Sequence, residues 1–219
     1  HEFALELYSI EQAIAETTLH AAARGRPIIL ADTQDNPGAG GHADTMSLIK
    51  ALVACDARSV LAGVICDPGA ASRAHAAVEG AQVELSLGAV SGTPGETPLT
   101  ARFKVIALGD GRFTGTGPFY HGARFEIGPM ALLELGGVRI AVASRKQQAA
   151  DQAMFRHLRI EPADYAVLAL KSSVHFRADF GPIASRVLVV EAPGPNIADP
   201  ARLPFRSLRP GMRASPRRR

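Results

Sequence analysis

The stretch from residue 28 to residue 66 limits the fold more than any other part of the chain. Two short apolar runs, Ile28–Ala31 and Val60–Cys66, have the length of buried strands and end in turn-forming residues. Between them, apolar residues recur at helical spacing from Met46 to Val53. A strand, a loop, a helix and a second strand in this order predict parallel strands joined by a right-handed crossover.

A different pattern follows and then gives way to the first one again. From about Gln82 to Ser144, glycines and prolines separate segments in which apolar and polar residues alternate, as in antiparallel strands. Apolar runs around Val167 and Val187 then predict two more buried strands. The sequence therefore predicts an α/β fold. We expect a mainly parallel sheet flanked by helices, with a β-rich antiparallel section in the middle.

The chain divides into three predicted segments. Residues 1–25 are predicted to form an amino-terminal helical segment, in which Ser9 and Gln12 have the spacing of a capping box. Because the opening "HEFALEL" has no initiator methionine, we expect this segment to continue from a missing amino-terminal domain. Residues 26–208 are expected to form the α/β domain. Residues 209–219 are expected to be a basic, disordered tail.

The positive charge of the chain is concentrated at its carboxyl-terminal end. The formal net charge is +3, but seven arginines and no acidic residue follow Ala201. Without those seven arginines the net charge becomes −4, so the folded part is mildly acidic. The chain also has no Trp and only 5% aromatic residues, which disfavours stacking on bases. The composition and charge distribution therefore disfavour nucleic acid as a partner.

Membrane and export signals are not visible in the sequence. No apolar run approaches the roughly 18 residues that a membrane span needs. Two cysteines, Cys55 and Cys66, do not suggest a disulfide framework, and we expect both to be buried apolar residues. No charged-then-apolar signal segment opens the chain. These features predict a cytoplasmic protein that does not contact a membrane.

A glycine-rich loop, "DTQDNPGAGGHADT", follows the first predicted strand and precedes a helix. Its amides, freed by Gly38, Gly40 and Gly41, could face an anion at the start of the helix. The loop lacks the Gly-Lys-Ser/Thr of a phosphate-binding loop and the spacing of the dinucleotide fingerprint. Five polar side chains in the loop could alternatively serve turns and helix caps, with Asp44 in the first helical turn. They are Asp32, Asp35, Asn36, His42 and Asp44.

A second polar motif, "KSSVHFR", follows the apolar run "YAVLAL". Its side chains able to carry charge or to form hydrogen bonds are Lys171, Ser172, Ser173, His175 and Arg177. Ligands of open α/β sheets usually bind at the carboxyl ends of the strands, where both motifs should emerge. The same residues could equally hold another domain. Both interpretations stay open at this point.

Metal and serine-hydrolase chemistry have no visible sequence pattern here. The seven histidines are scattered, without the paired spacing of a zinc site, so we expect no metal ligands in this chain. A Gly-x-Ser-x-Gly elbow is also missing.

Four stretches together resemble the carboxyl-terminal domain of the microcystinase C family of metallopeptidases. They are "LADTQDNPGAGGHADT", "ICDPGAASRAH", "SRKQQAADQAMFRHLRIEPADYAVLALKSSVHFRADFGPIAS" and "VEAPGPNIADPARLPFRSLRP". The resemblance implies a zinc-dependent hydrolase acting on linearised microcystin and similar peptides. It also implies that the zinc ligands, including an Asp-x-His pair, lie in a separate amino-terminal domain and not in this chain.

The resemblance carries over to two sets of positions only. They are Asp32, Thr33, Asp35, Asn36, Pro37 and Gly38 in the first motif, and Lys171, Ser172, Ser173, His175, Phe176 and Arg177 in the second. We expect them to complete the substrate cleft and to dock the metal-bearing domain. Lys171, His175 or Arg177 would hold the carboxylate of a peptide or other small substrate.

The resemblance also implies that the chain is part of an enzyme but inactive when isolated. The alternative is an independent α/β module that binds a small anionic ligand at the glycine-rich loop, residues 35–44.

Overall fold

A computed structural model describes residues 6–21 and 25–212 of the chain, without the side chains of residues 19–21. The described helices are α1 (Ile10–Ala21), α2 (Ser47–Ala54), α3 (Pro68–Ala77), α4 (Ala153–Arg156) and α5 (Arg177–Phe180). The described strands are β1 (Leu7–Tyr8), β2 (Ile28–Asp32), β3 (Val60–Cys66), β4 (Gln82–Leu87), β5 (Leu99–Gly109), β6 (Arg112–Thr114), β7 (Arg124–Glu126), β8 (Met130–Leu135), β9 (Val138–Ala143), β10 (Val167–Leu170) and β11 (Arg186–Val190).

Nine of the described strands form one mixed sheet in the order β1-β11-β2-β10-β3-β9-β8-β5-β4. The six strands from β1 to β9 in this order are parallel to their neighbours. The pairs β9-β8, β8-β5 and β5-β4 are antiparallel. Strands β6 and β7 form a separate two-stranded sheet. The prediction of a mainly parallel α/β sheet with an antiparallel section between Gln82 and Ser144 is confirmed.

The sheet is covered on both faces, because alternate residues of its central strands belong to different core clusters. In β2, Ile28 and Leu30 pack with α1, α2 and α3, whereas Ile29 packs with α4 and α5 on the opposite face. Burial on both faces explains why the central strands are continuous apolar runs and do not alternate.

The amino-terminal segment joins this domain through both of its elements. Strand β1, which the sequence did not predict, pairs with β11, and Ala13 of α1 is fully buried. The capping box is present: the Ser9 amide donates to Gln12 Oε1 at 2.8 Å, and the Gln12 amide donates to Ser9 Oγ at 3.2 Å. The predicted end of this helix at residue 24 lies outside the described residues, as do residues 213–219 of the predicted disordered tail.

The two cysteines lie outside the fully buried core. Cys55 is exposed and Cys66 is half-buried, so the prediction that both cysteines are buried is wrong. Cys55 follows α2, where the chain turns into the loop before β3 and leaves the side chain outside the core. Over the described residues, no helix combines the length and hydrophobicity that a bilayer crossing requires.

Candidate functional site

The two polar motifs meet at the carboxyl edge of the sheet. Strands β2 and β10 are neighbours, and Leu170 pairs with Ala31. The next residues along the two strands, Lys171 and Asp32, therefore lie side by side. Leu30 and Ala169 face the core cluster that contains residues of α1, α2 and α3. Because side chains alternate between the faces of a strand, Asp32 and Lys171 point to that same face, towards the segment before α2.

The Lys171 ammonium is buried and fully bonded. Its Nζ lies 2.7 Å from Asp32 Oδ2 and 3.0 Å from Asp35 Oδ2. It also donates to the carbonyl oxygen of Thr45 at 2.6 Å and to Thr45 Oγ1 at 2.7 Å. The Lys171 side chain is only 3% exposed. These contacts use the donors of the ammonium, so Lys171 fastens β2, β10 and the loop before α2 together.

Asp35 organises the glycine-rich loop around its carboxylate. Its Oδ1 accepts from the amides of His42 at 2.9 Å and Ala43 at 2.8 Å. Its Oδ2 accepts from the amide of Thr45 at 2.9 Å and from Thr45 Oγ1 at 3.0 Å. At Gly41 a Cβ atom would lie 2.6 Å from the carbonyl carbon of Asp35, so the loop closes only with glycine there. The amides that follow the glycines thus bind an anion that the chain itself supplies.

The two carboxylates beside the buried Lys171 ammonium have pKa values that are shifted in opposite directions. Burial raises the pKa of Asp32 more than Lys171 lowers it, and the Asp35 charge adds to the rise. Burial also acts on Asp35, but Lys171 and the hydrogen bonds from Thr45 and Ala43 outweigh it and lower its pKa. The same two carboxylates raise the pKa of Lys171 against its own burial. Lys171 and Asp35 therefore remain charged, and Asp32 is the carboxyl group that protonates first.

Two buried oxygens at this edge have no hydrogen-bond partner within the described part of the chain, Asp32 Oδ1 and Ser172 Oγ. Asp32 accepts from Lys171 through its other oxygen only, which fits its raised pKa. Next to them, Thr33 Oγ1 donates to Ser173 Oγ at 2.7 Å, and Ser173 Oγ donates to the Thr33 carbonyl at 3.1 Å. The hydroxyl pair joins β2 to β10 beyond the last ladder bonds.

The three candidate glycines use their own amides inside the loop. The Gly38 amide donates to Asn36 Oδ1 at 3.0 Å, which is the turn chemistry expected of Asn36. The amides of Gly40 and Gly41 donate to the carbonyls of Pro37 and Asn36. The helix begins only at Ser47, so the glycines do not lie at its amino terminus. This geometry gives no support to an anion site on these amides.

Asp44 has a role that the sequence did not suggest. Its oxygens accept from the amide of Ser91 at 2.5 Å and from Ser91 Oγ at 2.9 Å. The expectation that Asp44 lies in the first turn of the helix is wrong, because α2 begins three residues later. Asp44 instead fastens the glycine-rich loop to the segment after β4. Its partner is 47 residues away in sequence, so no local pattern could have identified it.

The second half of the "KSSVHFR" motif lies on the surface. His175 stacks on Phe119 with ring centroids 4.0 Å apart, and its Nδ1 lies 3.3 Å from Gln148 Oε1. Val174 is 62% exposed and Phe119 is 43% exposed. We call Phe119, Gln148, Val174 and His175 the His175 patch.

Arg177 follows the His175 patch in α5. Its guanidinium lies over the buried Phe176 ring, 5.4 Å from the centroid. The described contacts include no ion pair of Arg177. The sequence analysis identified His175 and Arg177, but it missed Phe119 and Gln148, which come from distant loops.

A metal centre does not fit the described residues. No three of their His, Cys, Asp and Glu side chains are grouped so that they could hold a metal ion. The carboxylates that do cluster, Asp32 and Asp35, already surround the ammonium of Lys171. Chemistry that needs a metal would have to receive it from residues other than these.

The model of one protein family, described as the MlrC C-terminus, matches residues 30–207. The chain belongs to this family. Both polar motifs, seven of the nine strands of the main sheet and the last three residues of β2 lie within the match.

Two individual relatives extend the comparison. Over 176 residues, 80% of this chain, the sequence is 32% identical to microcystinase C from Sphingomonas sp.. A crystal structure of a provisionally named metallopeptidase from Mesorhizobium sp. BNC1 superposes with a TM-score of 0.77 and 24% identity. That superposition covers 94% of this chain and shows the same fold. The match covers 34% of the Sphingomonas protein and 40% of the Mesorhizobium protein, so both relatives are much longer than the matched region.

Proposed function

We propose that this chain is the docking and substrate-facing domain of a zinc-dependent, peptidase-like hydrolase whose metal is held by a separate domain. Family membership, a relative named microcystinase C and a structural neighbour named as a metallopeptidase support this assignment. The large unmatched part of both relatives leaves room for a metal-bearing domain. The described residues of this chain do not offer a metal site of their own.

The observation that carries the proposal is the division of the carboxyl edge into a closed part and an open part. The ammonium of Lys171 is enclosed by four oxygens, so it does not remain available to a substrate. His175 and Arg177, two and four residues after the half-buried Ser173, are exposed. Of the three residues expected to hold a substrate carboxylate, we therefore assign the task to His175 and Arg177.

The chemistry of these two groups suits a peptide carboxylate at a domain boundary. A guanidinium can make two parallel hydrogen bonds to a carboxylate, and the Phe176 ring beneath Arg177 limits its orientations. The His175 ring is fixed by Phe119 and Gln148 and leaves Nε2 for a ligand. In this proposal they bind and orient a peptide or other small substrate, and the metal chemistry belongs to the other domain.

Docking of that domain is supported by exposed apolar side chains in the His175 patch and in two other segments of the described chain. Val174 and Phe119 belong to the His175 patch, and Val90, which follows β4, is 63% exposed. Further large apolar side chains are exposed on the segment that follows β11: Ile197, Leu203, Phe205, Leu208 and Met212. Grouped exposed apolar residues mark interaction surfaces more often than single ones. We propose that these residues face the metal-bearing domain.

A metal and activity comparison tests the proposal. This chain is purified alone and also joined to an amino-terminal metal-bearing domain, and both are analysed for bound metal and for peptide hydrolysis. We expect zinc and turnover in the joined protein only, with turnover lost on chelation and restored by zinc. About one equivalent of zinc together with turnover in the isolated chain would defeat the split-site account. If manganese restores turnover and zinc does not, the assignment of zinc is wrong, but the assignment of the metal to another domain stands.

The alternative, an anion-binding module at residues 35–44, stays a prediction with a separate test. Phosphate compounds should then bind to the isolated chain, and binding should depend on Gly38 and Gly40. The internal bonding of the glycine amides favours the first proposal over this one.

A further inference from the structure

A cleft of about 490 Å³ lies beside the glycine-rich loop, on the side of β11. It shares no residue with the His175 patch or with the group formed by Lys171, Asp32, Asp35 and Thr45. One wall is the segment 91–94, and the other is the segment that follows β11. The lining residues are Gln34, His42, Ser91, Gly92, Thr93, Pro94, Pro193, Gly194, Pro195, Ile197 and Arg202.

The first wall is fixed by a buried carboxylate. Asp44, which is 2% exposed, accepts from both the amide and the hydroxyl of Ser91. The Ser91 hydroxyl also lies 2.9 Å from Thr93 Oγ1. Asp44 thus holds the segment 91–94 beside the end of the glycine-rich loop that carries His42.

The second wall is fixed by Gln34. Its Nε2 donates to the Ala192 carbonyl at 2.7 Å, and its Oε1 accepts from the Ala198 amide at 3.0 Å. The Asn196 amide donates to the Gln34 carbonyl at 2.9 Å. Gly194 packs so closely that a Cβ atom would lie 2.3 Å from the Gln34 carbonyl carbon. Both walls are therefore held by buried side chains, and the cleft is formed before any ligand arrives.

The lining combines two nitrogen donors, from His42 and Arg202, with an apolar side. None of the lining residues is Asp or Glu, whereas His42 and Arg202 are both present. Arg202 forms an ion pair with Glu191 through Nη1, and a guanidinium has five N–H donors in all, so others remain for a ligand. Three prolines and Ile197 supply apolar surface. An anionic group with an apolar body matches these features, and the volume is within the range of small-molecule sites.

We propose that this cleft binds the carboxylate of a small apolar organic acid or of a peptide terminus, with His42 and Arg202 on the carboxylate and the prolines on the apolar part. This inference does not rest on the proposed function, because every lining residue belongs to this chain. It differs from the glycine-loop alternative because side chains, and not the glycine amides, contact the anion.

A titration of the full 219-residue chain, followed by NMR, tests the inference. The probes are acetyl-prolyl-leucine as the free acid, its carboxyl amide, isovalerate and inorganic phosphate. We expect the free acid to shift the amide signals of Gly92 and Gly194 and the ring signals of His42, and the amide to bind at least about tenfold more weakly, as expected for a lost charged hydrogen bond. Arg202→Gln and His42→Gln should each weaken binding of the acid by a similar factor. Arg58→Gln, a change to an exposed arginine before β3, is the matched control and should leave binding unchanged.

Each result has a defined meaning. Tighter binding of the peptide acid than of isovalerate identifies a peptide terminus as the ligand, and equal binding identifies the small acid. Equal shifts by acid and amide, shifts by phosphate alone, or the absence of shifts at these three residues with every probe would overturn the inference. Because Arg202→Gln also removes the contact with Glu191, unchanged signals elsewhere in the spectrum show that the fold is intact, and His42→Gln provides the independent variant. Metal content and peptide hydrolysis do not enter this test, so it can fail while the proposed function stands, and the reverse.

Discussion

The two halves of the "KSSVHFR" motif, Lys171 with Ser172 and His175 with Arg177, differ in burial and in the groups that they contact. Only two residues separate them. Lys171 and Ser172 are 3% and 0% exposed, and Lys171 joins segments that are 126 and 139 residues away in sequence. His175 and Arg177 are exposed and contact mainly aromatic rings. The comparison teaches that a run of polar residues after a strand need not form one site. The first half fastens the edge of the sheet, and the second half is available to a ligand or a partner.

The largest expected effect is loss of stability when Lys171 is replaced by Met. The variant would leave two buried carboxylates without their cation, which typically costs about 3–5 kcal/mol of unfolding free energy. Urea unfolding followed by circular dichroism measures it. Lys104→Met, at an exposed lysine of β5, is the control and should change the free energy by less than about 0.5 kcal/mol. If the Lys171 variant is as stable as the control, Lys171 and its buried contacts have no structural role.

The next largest effect separates the two carboxylates. Asp35→Asn should cost about 2–3 kcal/mol, because Asp35 accepts four hydrogen bonds from the glycine-rich loop in addition to its contact with Lys171. Asp32→Asn should cost about 1 kcal/mol or less, because it loses one charged bond but relieves the repulsion between two carboxylates. The same unfolding measurement compares them. Equal losses would show that the loop does not depend on Asp35.

A smaller effect concerns the dependence of stability on pH. The pKa of Asp32 is raised above its ordinary 3.8, mainly by burial. Its contribution to stability is therefore greatest below pH 3.8 and decreases as the pH rises through the folded value. Asp35 has a lowered pKa, so its contribution is present above pH 3.8 and is lost as the pH falls through the folded value. Relative to the natural chain, Asp32→Asn should gain stability as the pH rises from about 4.

Unfolding at a series of pH values checks this sign. The deficit of Asp35→Asn should be present above pH 3.8, the ordinary pKa of Asp35, and should shrink as the pH falls below that value. An Asp32→Asn variant whose difference from the natural chain stays flat between pH 4 and 7 contradicts the assignment of Asp32 as the first carboxyl group to protonate.

The smallest effect on stability is expected in the open half. His175→Gln and Arg177→Lys should each change the unfolding free energy by less than about 0.5 kcal/mol, because both side chains are exposed. In a protein joined to its metal-bearing domain, Arg177→Lys should lower the rate per folded molecule, since an ammonium cannot reproduce the two-bond grip of a guanidinium. Melting temperature and rate are measured together. Lower stability with unchanged rates in both variants would make these residues structural and remove the distinction between the halves.

The sequence was informative where structure depends on neighbouring residues. Continuous apolar runs predicted β2, β3, β10 and β11, and the pair Ser9 and Gln12 predicted a cap that the structure contains. Those signals are local, because a strand needs only its own apolar residues and a cap needs positions three apart. Strand β1 has two residues, too few for any periodicity.

The site depends on long-range contacts, and these were not predictable. Lys171 was expected at an open edge because ligands of open α/β sheets usually bind at the carboxyl ends of the strands. Its partners became visible only when β10 was placed beside β2. The contacts of Asp44 with Ser91 and of His175 with Phe119 likewise join segments that no spacing rule connects. The residue types at the edge could be identified from the sequence, whereas their division into a closed and an open half required the strand order.

That strand order also determines when each strand can pair while the chain is being synthesised. In the described sheet, the neighbours of β2 are β10 and β11, so residues 28–32 have no partner strand until residues 167–190 have left the ribosome. Until then, β2 is an unpaired apolar segment of a nascent polypeptide. Non-local pairing of this kind folds slowly and exposes strand edges to aggregation. The contacts of Lys171 with Asp32, Asp35 and Thr45 can form only in that late stage, so the carboxyl edge of β2 is completed after most of the chain has been synthesised.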